Sequence, residues 1–239
     1  MAATLAKAVS GSQIPLNLKF LPEQRFATFV DGDEAIPSVS VVEHAVSALE
    51  SAPHLLQGAS ESGKTHLLLS ACYAARESGK TVAYIPLKQM RDRIGELGAG
   101  ASLIAIDDLD AVAGDLDAQV AMFHLLNAAK AADQTVLIAT VLSPNDLDLQ
   151  LPDLRSRLNA CVRVPLTPLG DDGRKKALQL RALSRGLEFD DAAIDWLLLR
   201  ADRSIANLMG LFRQLDHASS VRKKKLTLPF VREILSEQL

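Results

Sequence analysis

The stretch GASESGKT, residues 58–65, sets two glycines, a lysine and a threonine at the spacing G-x-x-x-x-G-K-T. Glycines let a backbone curl until successive N–H groups point at one anion, and a helix starting directly behind adds the positive end of its dipole. Lys64 then reaches terminal phosphates and the Thr65 hydroxyl a magnesium ion. Gly58, Ser60, Ser62 and Gly63 are the loop's candidate phosphate contacts. His66 follows directly and is grouped with them in a structural role, and Thr140, closing a later apolar run, is a further candidate. A second stretch, LIAIDD at 103–108, is an apolar run ending in two acids. Such a strand sets one carboxylate beside the magnesium, here Asp107, and a second where it can orient or deprotonate a water, here Asp108. Together these residues read as a site for a nucleoside di- or triphosphate with Mg2+.

That chemistry needs a strand before the loop, a helix after it and a sheet to bring the acids alongside. Short apolar runs at 54–56, 81–86, 103–106, 136–140 and 161–164 predict buried parallel strands. Helical patterns fall between them, most clearly at 64–77 and 116–132. The alternation predicts an α/β fold, a P-loop module whose five-stranded parallel sheet is covered on both faces. Beyond PLTPLGDDG four amphipathic pieces, at 174–184, 191–200, 204–220 and 229–238, predict a small all-helical domain. The expected division is a tail at 1–20, an α/β nucleotide-binding domain at 21–168 and a helical lid at 169–239.

Composition narrows the partners. A formal charge of −3 over 239 residues argues against a broad basic surface that grips nucleic acid by itself. Cys72 and Cys161 lie far apart in apolar stretches and read as buried thiols of a reducing compartment. No run suffices to span a membrane, and the first residues lack the apolar block of a secretory signal, so a cytoplasmic protein is expected. The five histidines have no metal-binding spacing.

The pairing of GASESGKT with LIAIDD, the segment LPDLRSRL after the fourth strand and the helical tail resemble AAA+ ATPases of the bacterial replication initiator DnaA branch. RFATFVDGD at 25–33 is similar to the Phe-x-x-Phe-Val-x-Gly start of that branch, and the resemblance implies that Phe29 and Val30 line the adenine pocket. It also implies the sheet order 5-1-4-3-2. Neither the initiator's basic DNA-reading domain, after LTLPFVREIL, nor its separate N-terminal domain is expected. Over VAYIPL, LPDLRSRL, LQLRA, QLDHAS and LTLPFVREIL the chain resembles the DnaA regulatory inactivator family, Hda. That resemblance implies DnaA and the polymerase sliding clamp as partners, DNA met only through the loaded clamp, and promotion of hydrolysis of DnaA-bound ATP. A homo-oligomer is left open.

The same resemblance assigns the mechanism. The family's Ser-Arg pair falls on Ser156 and Arg157, so Arg157 would act in trans on the ATP of DnaA, with Arg155 as the alternative. A guanidinium supplied in this way is worth roughly 10³ to 10⁵ in rate. Aligning SIANLMG with the initiator pattern puts Ala206 where a lid arginine is expected; Arg203 lies nearby, and Leu142 stands where relatives often have an acid. Adenine nucleotide binding with slow or no hydrolysis follows. Competing readings are an autonomous ATPase, such as a helicase loader, and a nucleotide-dependent clamp adaptor without catalytic contribution.

QIPLNL, at 13–18, is similar to the short peptide by which proteins dock on the sliding clamp. Gln13 offers an amide to a polar subsite, while Leu16 and Leu18, two apart in an extended segment, enter one apolar cleft. Two buried leucines give roughly 3 to 6 kcal/mol. Fixing each backbone residue costs about 1 to 2 kcal/mol. The peptide alone should therefore bind modestly, and a second contact near the clamp should raise its effective affinity.

Overall fold

A computed structural model describes residues 24–32 and 36–235. The chain alternates as α1 (Ser38–Ala48), β1 (His54–Gln57), α2 (Lys64–Glu77), β2 (Val82–Pro86), α3 (Leu87–Met90), β3 (Leu103–Asp107), α4 (Leu116–Ala131), β4 (Thr135–Thr140), α5 (Pro152–Asn159) and β5 (Val162–Pro165). Four helices follow: α6 (Asp171–Ser184), α7 (Asp191–Arg200), α8 (Ile205–Arg222) and α9 (Leu228–Leu235). The strands form one parallel sheet in the order β2-β3-β4-β1-β5, the order that the resemblance implied.

Successive side chains of a strand face opposite ways, and here both faces are covered. Leu55, Ile104, Ile106, Val136 and Ile138 join one apolar cluster with Met122 and Leu126 of α4 and Leu154 and Leu158 of α5. Their neighbours Leu56, Leu103, Ala105, Leu137 and Ala139 join the other, with Val42 of α1 and Leu67, Leu68 and Ala71 of α2. This two-sided burial is why the strand sequences read as unbroken apolar runs. Each leucine so buried contributes about 1.5–3 kcal/mol.

The four C-terminal helices close around their own core, with Leu178, Ile194, Leu197, Leu208, Phe212, Leu215 and Val231 buried. Helix α6 begins at Asp171, ahead of the expected start, because Asp171 and Asp172 suit a first helical turn. Cys72 and Cys161 are both free and buried, and burial pushes their thiols up to about 12 and about 11. Among the described residues no helix is long and apolar enough to cross a membrane, and no cluster of His, Cys, Asp or Glu could hold a metal ion without help from a ligand.

Candidate nucleotide site

Beyond the carboxyl end of β1 the chain turns through 58–63 into α2, at the edge of the sheet where open parallel folds bind ligands. A Cβ on Gly58 would fall 2.2 Å from the Leu166 carbonyl oxygen and 2.6 Å from Ser62 Oγ. Gly63 has φ of 90°, and a Cβ there would lie 2.8 Å from Phe29 Cε2. Both glycines are therefore demanded by the backbone. The Gly58 N–H donates to the Thr140 carbonyl at 3.2 Å and the Leu166 N–H to the Gln57 carbonyl at 2.8 Å, tying the loop to the strands on either side.

Within the loop Ser60 is exposed, whereas Ser62 is buried with no hydrogen-bond partner for its hydroxyl. A buried orphan hydroxyl beside a helix start with no side-chain cap is the arrangement an anion completes. Lys64 Nζ donates to the carbonyls of Gly58 and Ala59 at 2.7 Å each. Burial lowers its pKa from the usual lysine value, opposed by Asp110, Asp107 and Asp108.

Asp107, buried at the end of β3, accepts hydrogen bonds on Oδ2 from Thr65 Oγ1 at 2.7 Å and from the Tyr84 hydroxyl at 2.8 Å. The two residues expected around magnesium thus meet, and Tyr84 joins them from β2. Burial first, and Asp107 second, raise the phenol above its ordinary range, so Tyr84 stays a donor. Asp108 follows with φ of 57° and accepts Lys88 Nζ on Oδ1 at 2.6 Å. Asp110 accepts the N–H groups of Val141 and Leu142 at 2.8 and 3.0 Å. Thr140 is fully buried and its hydroxyl lies 2.9 Å from the Leu142 carbonyl and 3.3 Å from Asp110 Oδ1. It closes the turn after β4 rather than lining the cavity described next.

Between the loop, the segment carrying Phe29 and the C-terminal helices lies a cavity of about 270 Å³. Phe29 and Val30 line one wall, Ser62, Gly63 and His66 another, and Ala177, Ala206 and Met209 the third. Asp31 fixes the first wall by accepting the Ser38 N–H at 2.8 Å, at the start of α1. Phe29 and His66 meet edge to face, centroids 5.3 Å apart at 70°. Burial pushes the imidazole down to about 4, with Arg181 acting in the same direction, so His66 is a neutral wall at pH 7.

Arg157 lies elsewhere, on α5. Its guanidinium donates to Asn127 Oδ1 of α4 and sits 5.8 Å from the Phe123 ring centroid. The partner is Asn127 rather than the nearby Asp153. Arg155 turns inward and donates to the Leu149 carbonyl at 2.5 Å, its Nε buried without a hydrogen bond.

Residues 171–235 match the family described as Hda, lid domain. The match spans the four C-terminal helices. The chain shares its fold with domain III of the replication initiation protein DnaA from Thermotoga maritima, at 20% identity and a TM-score of 0.72, over 91% of this chain and 97% of that one. AMPPCP-bound DnaA from Aquifex aeolicus aligns at 22% identity and TM-score 0.66, over 86% and 70% of the two chains. A variant of Thermotoga maritima RuvB aligns at 18% identity and TM-score 0.63, over 92% and 73%. The architecture is thus a DnaA-like fold whose C-terminal helices match the Hda lid domain.

The lid brings Ala206 to the cavity, at the start of α8, where the sequence alignment placed a missing arginine. Arg203 pairs with Asp171 at 3.4 Å on the surface and does not enter. The cations that do line the cavity are Arg181 of α6 and Arg213 of α8, both overlooked in the sequence. Only their placement on the inward turns of two amphipathic helices could have found them. Gln13, Leu16 and Leu18 lie outside the described residues.

These residues fit an adenine nucleotide with Mg2+. Phe29, Val30 and the lid would hold the base, the loop N–H groups, Ser62 and Lys64 the phosphates, and Thr65 and Asp107 the metal. When bound, the metal and nucleotide supply a polarised terminal phosphate.

Proposed function

We propose that this chain is a DnaA-inactivating regulator of the Hda type. It binds ADP or ATP, docks on the polymerase sliding clamp through Gln13, Leu16 and Leu18, and supplies Arg157 to the ATP held by DnaA. The observation that carries the reading is the Hda lid on a DnaA-type module. Two features of the chain support it. Ala206 leaves the start of α8 without a cation toward the cavity, at the position where the resemblance expects the lid arginine that acts on a terminal phosphate. Arg157 is only half-buried and held by a neutral amide, a partner that yields a guanidinium to a phosphate at small cost.

The chemistry in trans is electrostatic. Charge develops on the oxygens of the transferring phosphoryl group, and a fixed guanidinium in a water-poor interface stabilises it without reorganising. The clamp peptide raises the local concentration of Arg157 near DnaA at newly replicated DNA.

Turnover of DnaA-bound ATP, measured with the purified chain in the presence and absence of DNA-loaded clamp, tests the reading. Stimulation should require the clamp and should vanish in Arg157→Ala and in Gln13→Ala. Appreciable turnover without DnaA would replace the proposal with an autonomous ATPase. Clamp binding with unchanged turnover would replace it with a non-catalytic adaptor.

A further inference from the structure

Gln119 lies on α4, fully buried, and both ends of its amide are doubly hydrogen-bonded. Its Nε2 donates to the carbonyls of Val112 at 3.0 Å and Asp148 at 3.2 Å. Its Oε1 accepts the N–H groups of Gln150 at 2.8 Å and Leu151 at 3.1 Å. Carbonyls face one end and N–H groups the other, so a single orientation of the amide fits. Val112 closes the helical turn Leu109–Val112 that follows β3, and Leu151 is the residue from which α5 starts. One side chain of α4 therefore grips the segment 148–151 at three points and ties it to the turn beyond β3.

That segment is the entry to the helix that carries Arg157. Helix α5 has eight residues and no side-chain cap at its start, and Pro152 brings no N–H to its first turn. Leu154 and Leu158 bury its inner face, but apolar contact is non-directional and lets a short helix turn about its axis. Hydrogen bonds are directional. Gln119, Phe123 and Asn127 follow one another at intervals of four residues and so share one face of α4. The first holds the entry to α5, and the other two meet the Arg157 guanidinium.

Resting on the reading that Arg157 acts on the ATP of DnaA, we propose that Gln119 is a positioning residue, whose amide fixes the start of α5 and through it the direction in which Arg157 points. Arg157 contributes only when its guanidinium meets the transferring phosphoryl group, and a misplacement of about 1 Å costs on the order of 100-fold in rate. Fully buried, Gln119 touches no partner and acts on the rate through the helix alone.

The test uses the full chain, titrated against ATP-bound DnaA in the presence of DNA-loaded clamp. Arg157→Ala is measured first. If it keeps stimulation, the Arg157 reading fails and this proposal falls with it. Gln119→Met, similar in shape but without the amide, should lower the maximal rate about 10- to 100-fold. The concentration of chain that gives half the maximal rate should stay unchanged, as should the affinity for ADP. Amide hydrogen exchange should quicken over 148–159 and not over α6 to α9. Gln119→Asn, which keeps the amide one methylene short of its partners, should show the same split and serves if Gln119→Met does not fold. A wild-type maximal rate in either folded variant overturns the proposal and leaves the Arg157 reading standing. So does a loss accompanied by weaker half-saturation, weaker ADP binding or faster exchange throughout the chain, and so does failure of both variants to fold. Each of these would make Gln119 a support of the whole fold.

Discussion

Thr65 Oγ1 donates to Asp107 Oδ2 across 2.7 Å, joining the first turn of α2 to the end of β3. The bond holds at one point the two oxygens proposed to bind magnesium, and the Tyr84 hydroxyl donates to the same carboxylate at 2.8 Å. Positioning of this kind governs metal affinity as much as the ligands themselves. Asp107→Asn should therefore weaken Mg2+-dependent nucleotide binding by about 10- to 100-fold, and Tyr84→Phe by less. Titration calorimetry with and without Mg2+ separates the two, since Tyr84→Phe should leave the Mg2+-free affinity alone.

Gly63 tests the loop more sharply. At φ of 90°, with Phe29 Cε2 only 2.8 Å from the place a Cβ would occupy, Gly63→Ala must either strain the backbone or push Phe29 out of the wall. The expected cost is about 1–3 kcal/mol of stability, together with loss of nucleotide binding. Gly79, also at positive φ but with open space around it, gives the control. Gly79→Ala should destabilise without touching binding.

The parts of this molecule legible in the sequence are those where one physical demand acts alone. Gly58, Gly63, Lys64, Thr65 and Asp107 could be read because an anion needs N–H groups and a cation needs acids at fixed places. The sheet could be read because burial on both faces leaves Leu103 to Ile106 and Val136 to Ala139 no polar residue. The helix at Ser38–Ala48 was missed, since its apolar residues serve a stripe that only packing on α2 defines. Tyr84 and Lys88 were missed because their partners, Asp107 and Asp108, are 23 and 20 residues away and meet them only through strand register. Arg181 and Arg213 belong to helices whose inward faces the sequence shows only as apolar periodicity.

His66 makes stability depend on pH. Its folded pKa of about 4 lies below the ordinary 6.5 because the ring is buried. Above both values the ring is neutral in either state and contributes no pH dependence. As pH falls below 6.5 the unfolded chain takes up a proton that the folded chain refuses, so stability declines until about pH 4 and then levels. The loss amounts to about 3 kcal/mol. Burial lowers His54 too, in the same sense. Urea unfolding at several pH values should show a shallower decline for His66→Gln than for the wild type. Equal slopes would mean that the ring is protonated in place.

Arg155 and Arg157, two residues apart, should separate stability from function. Arg155→Ala leaves the buried Leu149 carbonyl without its 2.5 Å donor, a loss of about 1–3 kcal/mol. Arg157→Ala removes a half-exposed contact to Asn127 and should cost under about 1 kcal/mol. For stimulated hydrolysis of DnaA-bound ATP the order should reverse, with Arg157→Ala losing roughly 10³-fold or more. If Arg155→Ala folds normally and alone abolishes stimulation, the assignment passes to Arg155.

Ala206 offers the converse experiment, adding a charge at the start of α8, where the cavity wall has none. It stands at the first turn of α8, lining the cavity beside Met209, and is exposed enough to accept a longer side chain. A guanidinium there would act most on the terminal phosphate, because that group carries the charge that distinguishes ATP from ADP. Ala206→Arg should therefore raise ATP affinity about tenfold over ADP affinity, equivalent to about 1.4 kcal/mol. Displacement of a fluorescent nucleotide by each competitor measures that ratio. An unchanged ratio, with both affinities preserved, would show that the terminal phosphate lies out of reach of α8.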